Sequence, residues 1–501
     1  MNRTSWADKL WGNQAKLFYL ILPAVILLFG FLGSRELWTQ EHRWADIVAS
    51  MLFYQDFLHP ILNGQEYYDK PLLSYWLIAG LTAITGQLSL WAMRLPSALA
   101  GLLAIWSIYR IGVVLQDKRL GLLAGWLLLT SYYFIFWARV SSTDMLNLAG
   151  SLFAVSWYLS KRNQITFFNY LIFFIILAIT ALCKGLVGPV VATLAVGTDI
   201  LLQKSWKKHC NLPLFFAMIP ALILYVLPFW FSNQMGNDSY EQNGLYEVYR
   251  ENIMRYFHPF DHKDPIYIYF IYLPIYLMPW AFFFIPAIFS LKNRWSQLSL
   301  NAKWMVWATL VLFLFFTLSG SRRSYYILPM VPFAILMTAD WILASVGRVS
   351  RWAGATAIGA FLVLMFIFLL LQPFYYQRGG VANFDQVLKT ETNKIKPWSE
   401  WQIVLLDAES KLNFYLKLTP DIERLDISTA REKQTIESLL DEWPILTSQP
   451  KDTILITRKL HEPLLQQILK DYTVVEPEKT YLELILKKPD PNLPVAFIPK
   501  S

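Results

Sequence analysis

Long apolar runs alternate with short polar segments along most of the chain, and this pattern predicts membrane-spanning helices. The runs are continuous rather than alternating, and most approach the roughly 17–25 residues that a helix needs to cross the hydrocarbon layer. Backbone polar groups find no partners in lipid, so such runs form helices. Eleven spans, or thirteen with the same parity, are predicted. The eleven lie near residues 17–33, 94–114, 120–136, 145–159, 165–182, 186–202, 213–231, 266–291, 304–318, 325–345 and 353–372.

Basic residues between the runs predict how the chain is oriented. Lys9 and Lys16 precede the first span, which places the N-terminus in the cytoplasm. An odd number of spans then places the C-terminal region in the periplasm or an equivalent outer compartment. We therefore expect a multi-pass protein of the cell inner membrane. The loops predicted to be cytoplasmic carry Lys118/Arg119, Lys161/Arg162, Lys204/Lys207/Lys208, Lys292/Arg294 and Arg348/Arg351.

Two long loops and the C-terminal region depart from the pattern of spans. Residues 34–93 and 232–265 are predicted as outer loops rich in aromatic residues, and long loops of this kind are usually functional or disordered. Within the first loop, the short apolar segment 71–86 is predicted as a helix lying along the outer interface. The predicted architecture is a membrane all-α helical bundle over residues 1–373, followed by a small α/β periplasmic domain over 374–501.

The C-terminal domain is predicted from a change of pattern after Pro373. Its segments combine short β-branched runs with amphipathic stretches, and nothing in it resembles a glycine-rich nucleotide loop or a metal cluster. We expect an accessory domain. The predicted strands are 402–406, 453–457 and 482–486, and the predicted helices are 429–442 and 462–471.

Composition agrees with a membrane protein and limits the partners. Of the 501 residues, 55% are hydrophobic and 16% are charged, against about 25% charged in soluble proteins. The net charge of +8 comes largely from short loops, so it reflects orientation and we expect no nucleic-acid partner. The two cysteines, Cys183 and Cys210, are expected to be free thiols.

Acidic and basic residues gather in the outer loops and at the outer ends of spans. Lysines and arginines interleaved with acids can hold a phosphate and leave a carboxylate for proton transfer or metal binding. The structural alternative is that these cations only contact lipid headgroups. Asp144 lies at the start of an apolar span, where an ionisable side chain is costly and tends to be functional. A helix N-cap is the alternative role for Asp144.

Several motifs, taken together and in order, resemble a known family. The chain resembles the bacterial branch of the dolichyl-phosphate-mannose protein mannosyltransferase superfamily, which has the type-C glycosyltransferase fold. The closest likeness is to the lipid A 4-amino-4-deoxy-L-arabinose transferases, and it covers roughly residues 17–375. The motifs are EHRWADIVASM, HPILNGQEYYDKPLLSYWL, ARVSSTDMLNL, CKGLVGP and RRSYYILPMVP.

The resemblance implies roles for individual residues. Glu41 and Asp144 would be the catalytic candidates, and Asp69 and His262 would hold a divalent metal, apparently zinc. One departure matters, because Gln40 stands where many relatives have an aspartate, which puts the family's candidate base in doubt. The residues that would bind the phosphate of the lipid carrier are Arg43, Lys70, Arg322, Arg323 and Tyr326.

The implied function is transfer of a sugar from a polyprenyl (undecaprenyl) phosphate donor to an acceptor at the outer face of the inner membrane. Aminoarabinose or a similar sugar, moved onto lipid A or lipopolysaccharide, is the first hypothesis, and Gln40 fits an already ionised phosphate acceptor. The second hypothesis is a protein O-glycosyltransferase, similar to a mannosyltransferase, or transfer to another envelope glycan. The third is a lipid or sugar transporter, although its ionisable residues should then lie near the middle of the spans.

Overall fold

The computed structural model describes residues 6–235, 249–345, 347–420, 423–425 and 452–500. The chain divides into two compact units. The first contains Met1–Leu32, Phe57–Pro60 and Tyr67–Leu369, and the second contains Gly33–Asp56, Ile61–Glu66 and Leu370–Ser501. Most of residues 33–66, which the sequence assigned to an outer loop of the membrane domain, is therefore part of the same unit as the C-terminal region.

The first unit is helical, as the apolar runs predicted. Buried leucine, alanine and aromatic side chains from most of its helices form one continuous apolar core. Its helices are Trp6–Trp11, Phe18–Phe29, Leu73–Thr85, Leu90–Leu115, Lys118–Leu129, Tyr132–Ala138, Thr143–Lys161, Phe167–Lys184, Val187–Leu202, Trp206–His209, Leu212–Met235, Arg250–Met254, Arg255–Phe257, Ile268–Tyr276, Ala281–Arg294, Trp295–Gln297, Leu300–Leu318, Ser324–Met330, Val331–Ala344 and Gly347–Met365, with a π-helical turn Phe366–Leu371 at the end of the last.

Among the described residues, six helices are long and apolar enough to cross a membrane, or up to eight if each of two bent pairs is one span. This confirms the helical, multi-pass membrane class. Each of the eleven predicted spans has a helix or a bent pair in its place, but Phe18–Phe29 and Val187–Leu202 are shorter apolar helices. The count of eleven therefore stays a prediction.

Two predicted spans are bent where a straight helix was expected. At the first bend the Thr130 and Ser131 hydroxyls donate to the carbonyls of Trp126 (2.6 Å) and Leu127 (2.8 Å), and such back-bonding competes with helical hydrogen bonds. At the second bend Pro279 has no backbone N–H to continue the helix. The pairs are Lys118–Leu129 with Tyr132–Ala138, at 72°, and Ile268–Tyr276 with Ala281–Gln297, at 119°.

The predicted interfacial segment is a helix, Leu73–Thr85. Tyr75, Ile78 and Thr82 are buried along one side, whereas Ile84 is 82% exposed. This spacing of three and four residues is that of an amphipathic helix packed on one side. The helix brings the preceding Asp69–Lys70 segment to the end of the neighbouring apolar helices.

The second unit combines helices with a five-stranded sheet. The strands are β1 Ile61–Leu62, β2 Gln65–Glu66, β3 Gln402–Leu406, β4 Glu423–Leu425, β5 Thr453–Arg458, β6 Tyr472–Val475 and β7 Pro494–Pro499. β1 and β2 form a hairpin, and the larger sheet has the order β4-β3-β5-β7-β6, with β3 parallel to β4 and β5 and the remaining pairs antiparallel. The helices are Glu41–Tyr54, Gln372–Tyr375, Gly380–Thr392, Trp398–Glu400, Leu412–Leu416, Lys459–His461, Glu462–Ile468 and Tyr481–Leu486.

One predicted strand of this unit is wrong. Residues 482–486 lie in the helix Tyr481–Leu486, because a capping box starts a helix there: the Thr480 hydroxyl accepts from the Glu483 N–H (3.2 Å), and the Glu483 carboxylate accepts from the Thr480 N–H (2.8 Å). The predicted strands at 402–406 and 453–457 are confirmed. The predicted helix 462–471 exists as Glu462–Ile468, and the predicted helix 429–442 lies outside the described residues.

Candidate functional site

Asp144 and Lys184 form an ion pair between two apolar helices of the first unit. Asp144 lies in the first turn of Thr143–Lys161, and Ser142 is the N-cap, since its hydroxyl accepts from the Asp144 N–H at 3.2 Å. Capping is therefore performed by Ser142, and the Asp144 carboxylate is left to accept a hydrogen bond from Lys184 Nζ. Both side chains are largely buried, so the charges are weakly screened.

A tight turn holds Lys184 in place. Gly185 has φ +123°, a conformation open to glycine, and a β-carbon there would lie 2.7 Å from Asn252 Oδ1. The same Asn252 oxygen accepts from the Leu186 N–H at 2.7 Å. A residue of the second long predicted outer loop, 232–265, thus braces the turn after Lys184.

Tyr326 joins this ion pair to the basic segment before the tenth predicted span. Lys184 Nζ lies 5.5 Å from the centroid of the Tyr326 ring, which is a cation–π contact. The His262 ring meets the Tyr326 ring edge-on at a centroid distance of 6.2 Å. His262 itself has φ +52°, a strained backbone conformation of the kind that collects at functional sites.

The two arginines of this segment make different contacts. Arg322 braces the loop: its Nε donates to the Asp264 carbonyl at 2.7 Å, and its backbone N–H donates to the His262 carbonyl at 2.6 Å. Arg323 Nη1 donates to the Tyr325 hydroxyl at 3.1 Å and faces the His262 side. Burial and then the positive charge of Arg323 lower the pKa of His262, so its imidazole is neutral at neutral pH.

Arg255 connects His262 to a carboxylate of the same loop segment. Its Nε donates to Asp261 Oδ1 at 3.0 Å, and its two terminal nitrogens bind Asp261 and Glu251. Asp261 Oδ2 lies 3.1 Å from His262 Nε2. One guanidinium therefore holds two carboxylates, one of which orients the imidazole.

Asp69 and Lys70 complete the group. Lys70 Nζ lies 2.8 Å from Asp69 Oδ2, and the Tyr67 hydroxyl donates to the same oxygen at 2.8 Å. The Asp69 carboxyl also contacts that of Glu251; burial and then the negative Asp69 raise the pKa of Glu251 to about 7. Burial opposes ionisation of Asp69 as well, but Lys70 outweighs it and holds the pKa of Asp69 below its usual range.

These contacts join five separated parts of the chain into one network, which we call the polar cluster. Seven of the predicted site residues take part in it, although Asp69 and His262 are linked only through Glu251, Arg255 and Asp261. Its members are Tyr67, Asp69, Lys70, Asp144, Lys184, Glu251, Arg255, Asp261, His262, Arg322, Arg323 and Tyr326.

The two remaining predicted residues, Glu41 and Arg43, belong to the second unit. Glu41 begins the helix Glu41–Tyr54 and is only 1% exposed. Its Oε2 accepts from the Trp38 N–H at 2.8 Å and lies 3.6 Å from Arg35 Nη2. Arg43 is half-buried on the same helix. The described contacts of Glu41 are those of a structural ion pair.

The zinc ion implied by the resemblance was tested against the residues present. Within the described ranges, no three His, Cys, Asp or Glu side chains are grouped as metal ligands. Asp69 is engaged by Lys70 and Tyr67, and the His262 ring faces Asp261. This arrangement does not fit a three-ligand site, and we derive no step through a metal.

Lys184 and Glu251 were not singled out from the sequence. A signal for Lys184 was present, because a lysine that closes an apolar helix is costly unless it is paired or functional. Glu251 stood in a long loop with no local pattern, and only the fold brings it to Asp69. Arg255 and Asp261 were visible as loop charges but could not be assigned partners.

Comparison with known proteins identifies the kind of enzyme. Residues 69–231 match the sequence profile of the family described as dolichyl-phosphate-mannose-protein mannosyltransferase. The crystal structure of ArnT from Cupriavidus metallidurans bound to undecaprenyl phosphate has a TM-score of 0.74 at 16% identity, and covers 96% of this chain and 97% of that one. The fold is that of a type-C membrane glycosyltransferase. This confirms the glycosyltransferase class and the resemblance predicted from the motifs.

Two curated relatives show how far the similarity extends. An undecaprenyl phosphate-α-4-amino-4-deoxy-L-arabinose arabinosyl transferase of Aeromonas hydrophila is 25% identical over 471 residues, which is 90% of this chain and 81% of the relative. The enzyme of the same name from Wigglesworthia glossinidia brevipalpis is 23% identical over 66% of this chain, but the match spans only 59% of its own length. None of these comparisons favours the transporter hypothesis.

Proposed function

We propose that this glycosyltransferase moves a sugar from a polyprenyl-phosphate donor to an acceptor at the outer face of the inner membrane. Aminoarabinose, moved onto lipid A, is the first candidate reaction. The names of the relatives and the undecaprenyl phosphate bound to the structural neighbour support the donor class. The orientation, with the N-terminus in the cytoplasm and the C-terminal domain in the periplasm, is part of the proposal.

The polar cluster is the observation that carries this proposal. When a sugar leaves a polyprenyl monophosphate, negative charge develops on the departing phosphate, and fixed cations lower the barrier. Lys70, Lys184 and Arg255 are positioned in the cluster by carboxylate partners rather than left mobile. Such preorganised cations, with the Tyr326 hydroxyl nearby, suit a phosphate leaving group.

The pairing of the carboxylates bears on the acceptor. Asp144, Asp69 and Glu251 each contact a lysine or an arginine, and the neighbouring Lys70 makes Asp69 a weaker base by lowering its pKa. A phosphate monoester is largely ionised near neutral pH, with a second pKa of about 6, and needs little help from a base. This favours a phosphate of lipid A over a hydroxyl as acceptor.

A protein hydroxyl is the second candidate acceptor, because the matching family profile is that of protein mannosyltransferases. A hydroxyl needs a general base in position, usually contributing about 10²–10⁴ to the rate. Glu251, whose pKa is raised to about 7, or Asp144 after separation from Lys184 would have to supply it. The two candidates therefore differ in whether the acceptor must be deprotonated at the site.

Mass spectrometry of lipid A tests the proposal directly. Lipid A would be compared among four strains: with the intact gene, without the gene, with Lys70→Ala and with Lys161→Ala. Lys161→Ala is the matched control, because Lys161 is a half-buried lysine far along another helix. We expect an added pentosamine with the intact gene and with Lys161→Ala, but not in the other two strains. Identical lipid A in all four strains would remove this acceptor, and periplasmic glycoproteins would be analysed next.

The orientation and the metal have separate tests. Cys210 is exposed and Cys183 buried, so a membrane-impermeant thiol reagent should label native Cys210 only after permeabilisation. Lys70→Cys in a Cys210→Ser background should be labelled in intact spheroplasts; the reverse pattern would refute the orientation. A metal held by Asp69 and His262 was predicted from the resemblance, and the arrangement of the two residues does not favour it. Equal zinc content in the purified wild type and in Asp69→Asn would count against it further.

A further inference from the structure

A short helix of the second unit, Tyr481–Leu486, turns apolar side chains outwards instead of burying them. The capping box described above fixes the start of the helix, and a hydrogen bond from the Asp490 N–H to Glu483 (3.0 Å) ties the residues after the helix back to it. The exposure is therefore a property of an ordered element. The exposed side chains are Leu482, Leu484, Ile485 and Leu486, at 49%, 43%, 75% and 58%.

Three contacts attach this helix to the segment by which the last apolar helix leaves the membrane. The Phe374 and Tyr481 rings stack with centroids 5.1 Å apart at 21°. Gly379 packs so closely that a β-carbon would lie 2.6 Å from the Glu478 carbonyl oxygen. Asn383 Oδ1 accepts from the Glu478 N–H at 2.9 Å.

The segment on which the helix rests is itself at the membrane boundary. The helix that begins at Gly347 is apolar enough to be a span, and its end carries Leu370, Leu371 and Phe374, exposed by 63%, 48% and 55%. Exposed apolar residues at the end of a span are expected to face lipid. Because Tyr481 stacks on Phe374, the helix Tyr481–Leu486 lies beside these exposed apolar residues.

Three exposed lysines border the helix directly, and the exposed acidic residues Glu478 and Asp490 lie just beyond them. Lys487 and Lys488 follow the helix directly and Lys479 precedes it, and all three are exposed. The acidic residue within the helix, Glu483, is buried and bonded to backbone N–H groups. Apolar side chains flanked by lysines are the composition of helices that lie in the membrane interface.

We propose that Tyr481–Leu486 docks onto the surface of the same membrane, on the side where the last span ends. Leu482, Ile485 and Leu486 enter the boundary between headgroups and acyl chains, and Lys487 and Lys488 contact phosphate headgroups. The bilayer, rather than a second protein, is the occupant of this apolar surface, because the contacts with residues 374–383 hold it there. The second unit is thereby fixed to the bilayer by this helix in addition to its chain connections with the first unit.

Collision accessibility of a spin label measures this docking in the full-length protein. A nitroxide would be placed at Ile485→Cys in a Cys210→Ser background, in liposomes containing phosphatidylglycerol. Ile468→Cys is the matched control, because Ile468 is 50% exposed at the end of another short helix of the same unit. Oxygen reaches lipid-embedded labels and a nickel chelate reaches labels in water.

We expect the ratio of oxygen to nickel accessibility at position 485 to be severalfold higher than at position 468. Replacing Lys487 and Lys488 by glutamine should weaken the partitioning of the helix into the bilayer roughly fivefold per lysine. Liposomes made only of neutral lipid should weaken it as well. A water-like ratio at 485 that equals the ratio at 468 would overturn the proposal. A short spin–spin distance between copies at 485 would overturn it too, because the surface would then be a protein interface.

Discussion

The ion pair between Asp144 and Lys184 can be examined by removing each charge singly and then both together. The variants are Asp144→Asn, Lys184→Met and the double variant. Two unit charges about 4 Å apart attract by about 4 kcal/mol at an effective dielectric constant near 20. Both side chains are largely buried, so a single substitution strands the other charge, and breaking such a pair costs about 3–5 kcal/mol.

Stability and activity are expected to respond differently to these three variants. Each single variant should lower the free energy of unfolding by about 3 kcal/mol. The double variant should recover most of this loss, because no unpaired charge remains. The rate of sugar transfer should stay about 100-fold below that of the wild type in every variant that lacks Lys184. A fixed cation at the leaving phosphate typically contributes a factor of that size to the rate.

The assay combines thermal unfolding in detergent with initial rates on a purified polyprenyl-phosphate-linked sugar and lipid A. Lys161→Met is the matched control, because Lys161 closes the helix that Asp144 begins and its described hydrogen bond is to Gln164. It should change neither quantity. If the double variant recovered activity together with stability, Lys184 would have a purely structural role and the proposed use of this cation would be refuted.

Three further substitutions have definite expected outcomes. Gly185→Ala should lower the free energy of unfolding by about 1–3 kcal/mol and lower kcat, because φ is +123° and a β-carbon would meet a side-chain oxygen at 2.7 Å. Gly197→Ala is the control, because Gly197 has open space around it. Equal Tm values for the two variants would contradict this prediction. Glu41→Gln should lower Tm and leave kcat unchanged, because the carboxylate is buried in structural contacts; an unchanged Tm with a kcat loss of about 100-fold would instead mark it as the base. Thr480→Ala should cost about 1 kcal/mol and speed hydrogen exchange in residues 480–490; unchanged exchange there would argue against the capping box.

The apolar runs predicted the helices well because span length and lipid burial act on each segment by itself. The bend at Thr130 depends on which hydroxyl competes for a backbone carbonyl. The bend at Pro279 depends on where a missing N–H interrupts the helical hydrogen bonds. In the C-terminal domain, residues 482–486 alternate like a strand, and the capping box at Thr480 decided the outcome. A local hydrogen-bond signal of this kind was available in the sequence but was outweighed by the hydrophobic pattern.

For the site, sequence motifs predicted several members of the polar cluster but not how they pair. Asp144 and Lys184 are 40 residues apart, and Glu251 is far from Asp69 in the chain. No spacing rule covers such distances, because the pairing depends on which helices are neighbours. Glu41 shows the opposite case: it belongs to one of the motifs that carry the resemblance, and yet its carboxylate is buried against Arg35 in the second unit.

The distribution of charge in the polar cluster limits the chemistry that it can support. Arg255 binds both Asp261 and Glu251 with a single positive charge, Lys70 pairs with Asp69, and Lys184 pairs with Asp144. A dianionic phosphate entering this group would compete with the carboxylates for the same cations, and uptake of a proton by Glu251, whose pKa is about 7, would offset one of the added charges. The cations of the cluster suit the stabilisation of a departing phosphate, whereas deprotonation of a hydroxyl would depend on a carboxylate such as Glu251. A lipid A phosphate arrives already ionised, so its glycosylation needs a stabilised departing phosphate and does not need deprotonation of the acceptor.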